Sequence, residues 1–128
     1  MDDSKRLYGI RGASCAENTK ESIRKNVAEM CLRIFKENGL TERAGVSVQF
    51  TQTDDLTAQN ASAAFRLGQN ELDVSKIALF TMQEPKIDDS PKKMIRVLVT
   101  AYLKDGASVR HVYINGAEKL RPDFAKTC

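Results

Sequence analysis

The run Met94-Ile95-Arg96-Val97-Leu98-Val99 constrains the fold more than any other stretch of the chain, because it sets one guanidinium among five apolar residues. A strand of that composition is buried on at least one face, and a buried cation without a partner costs several kcal/mol. Arg96 therefore needs an anion. Glu84, in Thr81-Met82-Gln83-Glu84, is the nearest internal candidate, and Arg11, in Tyr8-Gly9-Ile10-Arg11-Gly12-Ala13, repeats the pattern of a cation set in a short extended segment. Two such arginines outnumber one carboxylate, and a dianionic ligand would match the surplus charge. On the residues alone both readings stand: a structural Arg96–Glu84 salt bridge, or a site for a small anion.

A chain of 128 residues builds one compact domain with a real core, needing neither disulfides nor metal. Its 20 Lys+Arg against 17 Asp+Glu give +3, and the basic residues are spread along the chain, which disfavours a nucleic-acid footprint. Three cysteines, Cys15, Cys31 and Cys128, have neither metal-ligand spacing nor the even count of a disulfide framework. Reduced thiols in the cytoplasm are the expectation, with Cys128 exposed. The stretch Met1 to Arg6 lacks the apolar core of a signal peptide, and no segment approaches the ~20 apolar residues that cross a bilayer. No membrane association is expected.

Leu7 to Ala13 reads as a first strand, followed by a polar loop ending in Asn18-Thr19-Lys20-Glu21, where Asn18 suits an N-cap and Glu21 its capping-box partner. Ile23, Val27, Met30 and Ile34 then recur on one helical face, and Gly39 is the natural stop. Val46, Val48 and Phe50 alternate with Ser47, Gln49 and Thr51 as in a half-buried strand. Thr53-Asp54-Asp55-Leu56 turns into a second, Ala-rich helix ending near Gly68. Lys76 to Met82, Lys93 to Leu103 and Val109 to Ile114 are further strands. The order is β-α-β-α-β-β-β, a mixed α/β domain over residues 1–128 with a largely antiparallel second half.

No P-loop, dinucleotide fingerprint or zincin motif is present, and a single histidine, His111, excludes a multi-histidine metal site. Nothing beside His111 supports a triad, so it reads as a structural or surface residue. Taken singly, Tyr113 is a core aromatic or a ligand-binding phenol, and Glu84, Arg66 and Arg121 are solvated charges or site residues.

In order and separation, Gly9-Ile10-Arg11-Gly12-Ala13, Met82-Gln83-Glu84, Ile95-Arg96-Val97, Arg110-His111-Val112-Tyr113 and Leu120-Arg121-Pro122-Asp123 closely resemble one family, the trimeric AroH-class chorismate mutases. The resemblance covers nearly the whole chain. It implies a pseudo-α/β-barrel subunit in a homotrimer with active sites between subunits, and an isomerase of aromatic amino-acid biosynthesis that rearranges chorismate to prephenate. That [3,3] reaction needs no nucleophile, cofactor or metal, so catalysis rests on holding the folded dicarboxylate and stabilising negative charge on the breaking ether oxygen. By the same resemblance Arg96 is the stabilising cation and Glu84 accepts a hydrogen bond from the ring hydroxyl. Arg11 and Tyr113 bind the side-chain carboxylate. Arg66 and Arg121 line or close the mouth, the latter on a tail over about 122–128 that orders over ligand. Asn60, Ser62, Thr81 and Leu120 also fall at positions about the substrate.

The chain departs from the family where typical members carry Phe-Pro-Ala and here stands Asn60-Ala61-Ser62, next to Ala63 in place of a common lysine. Thr81 replaces a cysteine of one well-known pattern and keeps a hydroxyl donor. These changes imply weaker ligand binding with the transition-state cation intact. They also keep open a same-fold enzyme acting on another chorismate-like dicarboxylate, and a non-catalytic binder with a degenerate site.

Overall fold

A computed structural model describes residues 4–121; the expectations for the C-terminal tail and Cys128 lie outside them. Five strands form one mixed sheet: β1 (Lys5–Cys15), β2 (Gly45–Gln52), β3 (Ala78–Gln83), β4 (Met94–Lys104) and β5 (Val112–Ile114). Two helices, α1 (Lys20–Glu37) and α2 (Ala61–Leu67), follow β1 and β2, and short 3-10 turns occupy Glu42–Ala44 and Glu118–Leu120. The element order matches the expectation from the sequence.

The sheet order is β3-β2-β4-β1-β5. Strand β4 lies antiparallel between β1 and β2, while β3 is parallel to β2 and β5 parallel to β1. The second half is therefore not an antiparallel unit of its own. Its strands alternate in direction, but each pairs with β1 or β2, and none pairs with the next in the chain. This nesting puts the apolar run of β4 at the centre of the sheet, where both edges are hydrogen-bonded.

Both helices pack on one face. Ile23, Val27, Met30 and Ile34 of α1, the residues marked by helical spacing, are fully buried against Ile10, Val97, Val99 and Val112 in one core cluster. From α2, Phe65 fills the centre, its ring 6.4 Å from that of Phe35 and 6.2 Å from that of Phe50 in tilted and edge-on contacts. Gly12 lets α1 approach β1: a Cβ there would stand 2.9 Å from Ile34 Cδ1 and 3.0 Å from the Val112 carbonyl oxygen.

Two local expectations are corrected. The N-cap of α1 is Thr19, whose hydroxyl accepts the Ser22 N–H at 3.0 Å, and not Asn18. The Asn18 side chain reaches across instead, its Oδ1 accepting from the Thr57 and Ala58 N–H groups, so it ties the entry of α1 to the loop before α2. Val46 does not face the core with Val48 and Phe50. A register shift between Gly45 and Ser47 opposite β4 marks a bulge that takes Val46 out of the alternation and leaves it 42% exposed.

Neither α1 nor α2 covers the other face of the sheet. Leu7, Phe80, Met82, Leu98 and Tyr102 stand on it as exposed large apolar side chains. At one end it is covered by a small second cluster of Ala13, Met94, Tyr113 and Ala117, against which Leu120 packs.

Candidate active site

The register of the sheet assembles the site on this open face. Met82, Thr51, Arg96, Ala13 and Tyr113 are successive partners across β3, β2, β4, β1 and β5. The neighbouring row runs Phe80, Gln49, Leu98 and Arg11. Since side chains alternate along a strand and register partners share a face, burying Ile95, Val97 and Val99 under the helices forces Arg96 and Leu98 outward. Arg96 is thus not the buried cation that its apolar neighbours suggested: its side chain is 44% exposed in the subunit.

Glu84 continues β3 by one residue, its N–H donating to the Gln52 carbonyl at 2.9 Å. Its carboxylate is only 17% exposed, and the two oxygens have different partners. Oε1 accepts a hydrogen bond from the Thr51 hydroxyl, while Oε2 lies 3.6 Å from Arg96 Nε, an ion pair too long for a hydrogen bond. Neither terminal nitrogen of the Arg96 fork hydrogen-bonds within the described residues. Thr51 was not singled out by sequence reasoning; its only signal is its alternation with Phe50, which does not distinguish a carboxylate-orienting hydroxyl from a solvated one.

Arg11, Gln49, Thr51, Glu84, Arg96 and Leu98 line a cavity of about 380 Å³. That volume suits a small organic anion, and the wall combines an apolar floor with two guanidinium groups around one oriented carboxylate. A planar guanidinium presents paired donors that suit a carboxylate or a developing oxyanion. Tyr113 lies two strands from Arg96, about 10 Å at ordinary strand spacing. It is 5% exposed beneath the turn that carries Leu120, and Arg121 follows that turn at the same end of the sheet.

Four of the residues named from the sequence lie elsewhere in the subunit. Thr81 pairs with Phe50 and shares its helix-side face, whereas Met82 and Glu84 point the opposite way. Asn60 is the N-cap of α2: its Oδ1 accepts from the Ser62 N–H at 2.8 Å and from the Thr81 hydroxyl at 2.9 Å. The hydroxyls of Ser62 and Thr81 are 2.6 Å apart. The Asn60-Ala61-Ser62 departure is therefore a local capping network that binds α2 to the edge strand β3, and the Thr81 donor is spent inside it. Arg66 is exposed in the last turn of α2. None of these four lines the cavity that holds Arg96.

Among the described residues no group of three or more His, Cys, Asp or Glu is placed to hold a metal ion, and no helix is long and apolar enough to cross a membrane.

A mixed sheet with both helices on one face and an arginine–carboxylate cleft on the other defines a class of small α/β subunits suited to an organic anion. The chain belongs to the type I chorismate mutase family, whose model matches residues 7–124. It is 36% identical over 124 residues to chorismate mutase AroH of Thermus thermophilus, covering 92% of this chain and 96% of that one. It is 33% identical over 124 residues to chorismate mutase AroH of Bacillus subtilis (strain 168), covering 94% of each. A chorismate mutase from Clostridium thermocellum superposes with a TM-score of 0.78 at 31% identity, over 88% of this chain and 98% of that structure.

Proposed function

We propose that the protein isomerises chorismate to prephenate in aromatic amino-acid biosynthesis, with Arg96 as the cation that stabilises the breaking ether oxygen. The observation that carries this reading is the Thr51–Glu84–Arg96 cluster beside Arg11 in one cavity: the carboxylate is oriented, and among the described residues the terminal nitrogens of Arg96 have no hydrogen-bond acceptor. The reaction is unimolecular, so its acceleration comes from holding the enolpyruvyl arm over the ring and from matching charge that appears only in the transition state. Arg11 grips the side-chain carboxylate together with Tyr113, while Glu84 accepts from the ring hydroxyl. Leu120 and Arg121 close the Tyr113 end.

We further infer a homotrimer. The open face exposes Leu7, Phe80, Met82, Leu98 and Tyr102, an apolar surface that association would cover. Association around a three-fold axis also accounts for the split of the site residues: Arg66, Asn60, Ser62 and Thr81 of a neighbouring copy would face the Arg96 cavity of this one. The free thiols of Cys15 and Cys31 support a cytoplasmic location.

The test follows loss of chorismate and identifies the product by chromatography, beside sedimentation of the 14.3 kDa chain. Prephenate formed well above the spontaneous rate by a trimer supports the reading. A folded trimer that leaves chorismate unchanged contradicts the activity, and a monomer at micromolar concentration contradicts the assembly.

A further inference from the structure

The one histidine of the chain makes a contact that its sequence neighbourhood does not announce: His111 Nδ1 accepts the backbone N–H of Arg11 at 2.9 Å. The parallel pairing of β1 with β5 begins at Gly12 opposite Val112, so Arg11 and His111 are the next pair beyond the ladder. There an imidazole nitrogen takes the place of a main-chain acceptor. The N–H and C=O of one strand residue point to the same side, and the Arg11 N–H points toward β5. Its antiparallel pairing with Leu98 on the β4 side is then of the non-hydrogen-bonded kind, and the Arg11 peptide depends on the β5 side for its fixation.

The histidine is itself braced. Asn38, the C-cap of α1, clamps the preceding residue from both directions: its Oδ1 accepts the Arg110 N–H at 2.7 Å, and its Nδ2 donates to the Arg110 carbonyl at 2.9 Å. A connected path runs from the end of α1 through Arg110 and His111 to the main chain of Arg11, whose side chain lines the anion cavity.

We propose that His111 is a positioning residue for substrate binding, fixing the Arg11 backbone so that the guanidinium meets the substrate carboxylate without first being ordered. This rests on the reading of Arg11 as a carboxylate-binding residue. Because Arg11 grips a carboxylate that is charged in both ground and transition states, loosening it raises KM and leaves kcat nearly unchanged.

The experiment is steady-state kinetics with chorismate on Arg11→Ala, His111→Phe, His111→Asn and the double variant Arg11→Ala/His111→Phe. Phenylalanine removes the acceptor at similar size; asparagine puts Oδ1 where Nδ1 stood. His111→Phe is expected to raise KM about tenfold, the worth of one hydrogen bond, with kcat within about twofold of wild type. His111→Asn should restore most of that rise, and the double variant should be no worse than Arg11→Ala alone. A His111→Phe enzyme with unchanged KM, with the loss in kcat alone, or with additive effects on Arg11→Ala overturns the proposal while the Arg11 reading stands. An unchanged KM in Arg11→Ala removes that reading instead, and this one with it. If His111→Phe fails to fold, scalar coupling through the hydrogen bond between the Arg11 amide nitrogen and His111 Nδ1, sought in isotopically labelled wild type, decides: its absence overturns the proposal.

Discussion

Substituting Gly12 by alanine probes how closely α1 and β5 are packed against the strand that carries Arg11. The new Cβ would lie 2.9 Å from Ile34 Cδ1, 3.0 Å from Val97 Cγ1 and 3.0 Å from the Val112 carbonyl oxygen. The Ile34 methyl is the end of a side chain and can turn away. The Val112 oxygen cannot, because it belongs to the backbone paired with Gly12 itself. Relief therefore requires β5 to move outward, against Ile34 in a core where Val112 and Ile34 are both fully packed. Overpacking of this kind costs about 1–3 kcal/mol, and alanine's lower unfolded-state entropy returns about 0.4–1 kcal/mol. The net loss is about 1–2 kcal/mol, a fall in Tm of roughly 4–10 °C for a chain of this size. Thermal unfolding followed by far-ultraviolet circular dichroism, at one fixed protein concentration because assembly shifts apparent stability, measures it. A Gly12→Ala protein as stable as wild type, with β5 undisturbed, would refute the claim that the β1–α1–β5 junction is closed to a methyl group.

Three smaller perturbations test other parts of the structure. Asn60→Ala removes the cap of α2 and the acceptor of the Thr81 hydroxyl, and should lower stability by about 1 kcal/mol in denaturant titration; an unchanged midpoint would mean that the network is not holding α2. Thr51→Val should leave the melting temperature nearly unchanged but reduce kcat about tenfold, as Glu84 loses the hydroxyl that orients it; unaltered kcat would show that Arg96 alone orients the carboxylate. Burial pushes the Cys31 thiol well above its usual range, so alkylation at neutral pH followed by mass spectrometry should label Cys31 only in denaturant; rapid native labelling would contradict its packing.

How much of this was legible in the residues follows from which interactions are local. The buried face of α1 was legible because Ile23, Val27, Met30 and Ile34 repeat at the helical period, and helix hydrogen bonds are local. The cap shifted by one residue because Asn18 and Thr19 are both good caps, and the choice was made by Thr57 and Ala58, far along the chain. Arg96 was conspicuous but its burial was misjudged, since an apolar run does not say which of its two faces a helix covers. The same ambiguity scattered the site: Thr81 and Glu84 lie three residues apart yet face opposite sides, while Thr51 and Arg96 meet only through the β2–β4 register. Pairing between strands distant in sequence also hid the sheet order, the Val46 bulge and the His111–Arg11 contact. The family pattern named Arg11, Glu84, Arg96 and Tyr113 together, and the register explains why they lie on one face.

Replacing Arg96 by citrulline, nearly isosteric but neutral, tests whether the Arg96 charge acts in the transition state. With folding and assembly verified, kcat on chorismate is expected to fall by at least about a hundredfold, with a much smaller change in KM. A citrulline enzyme turning over at near the wild-type rate would contradict it.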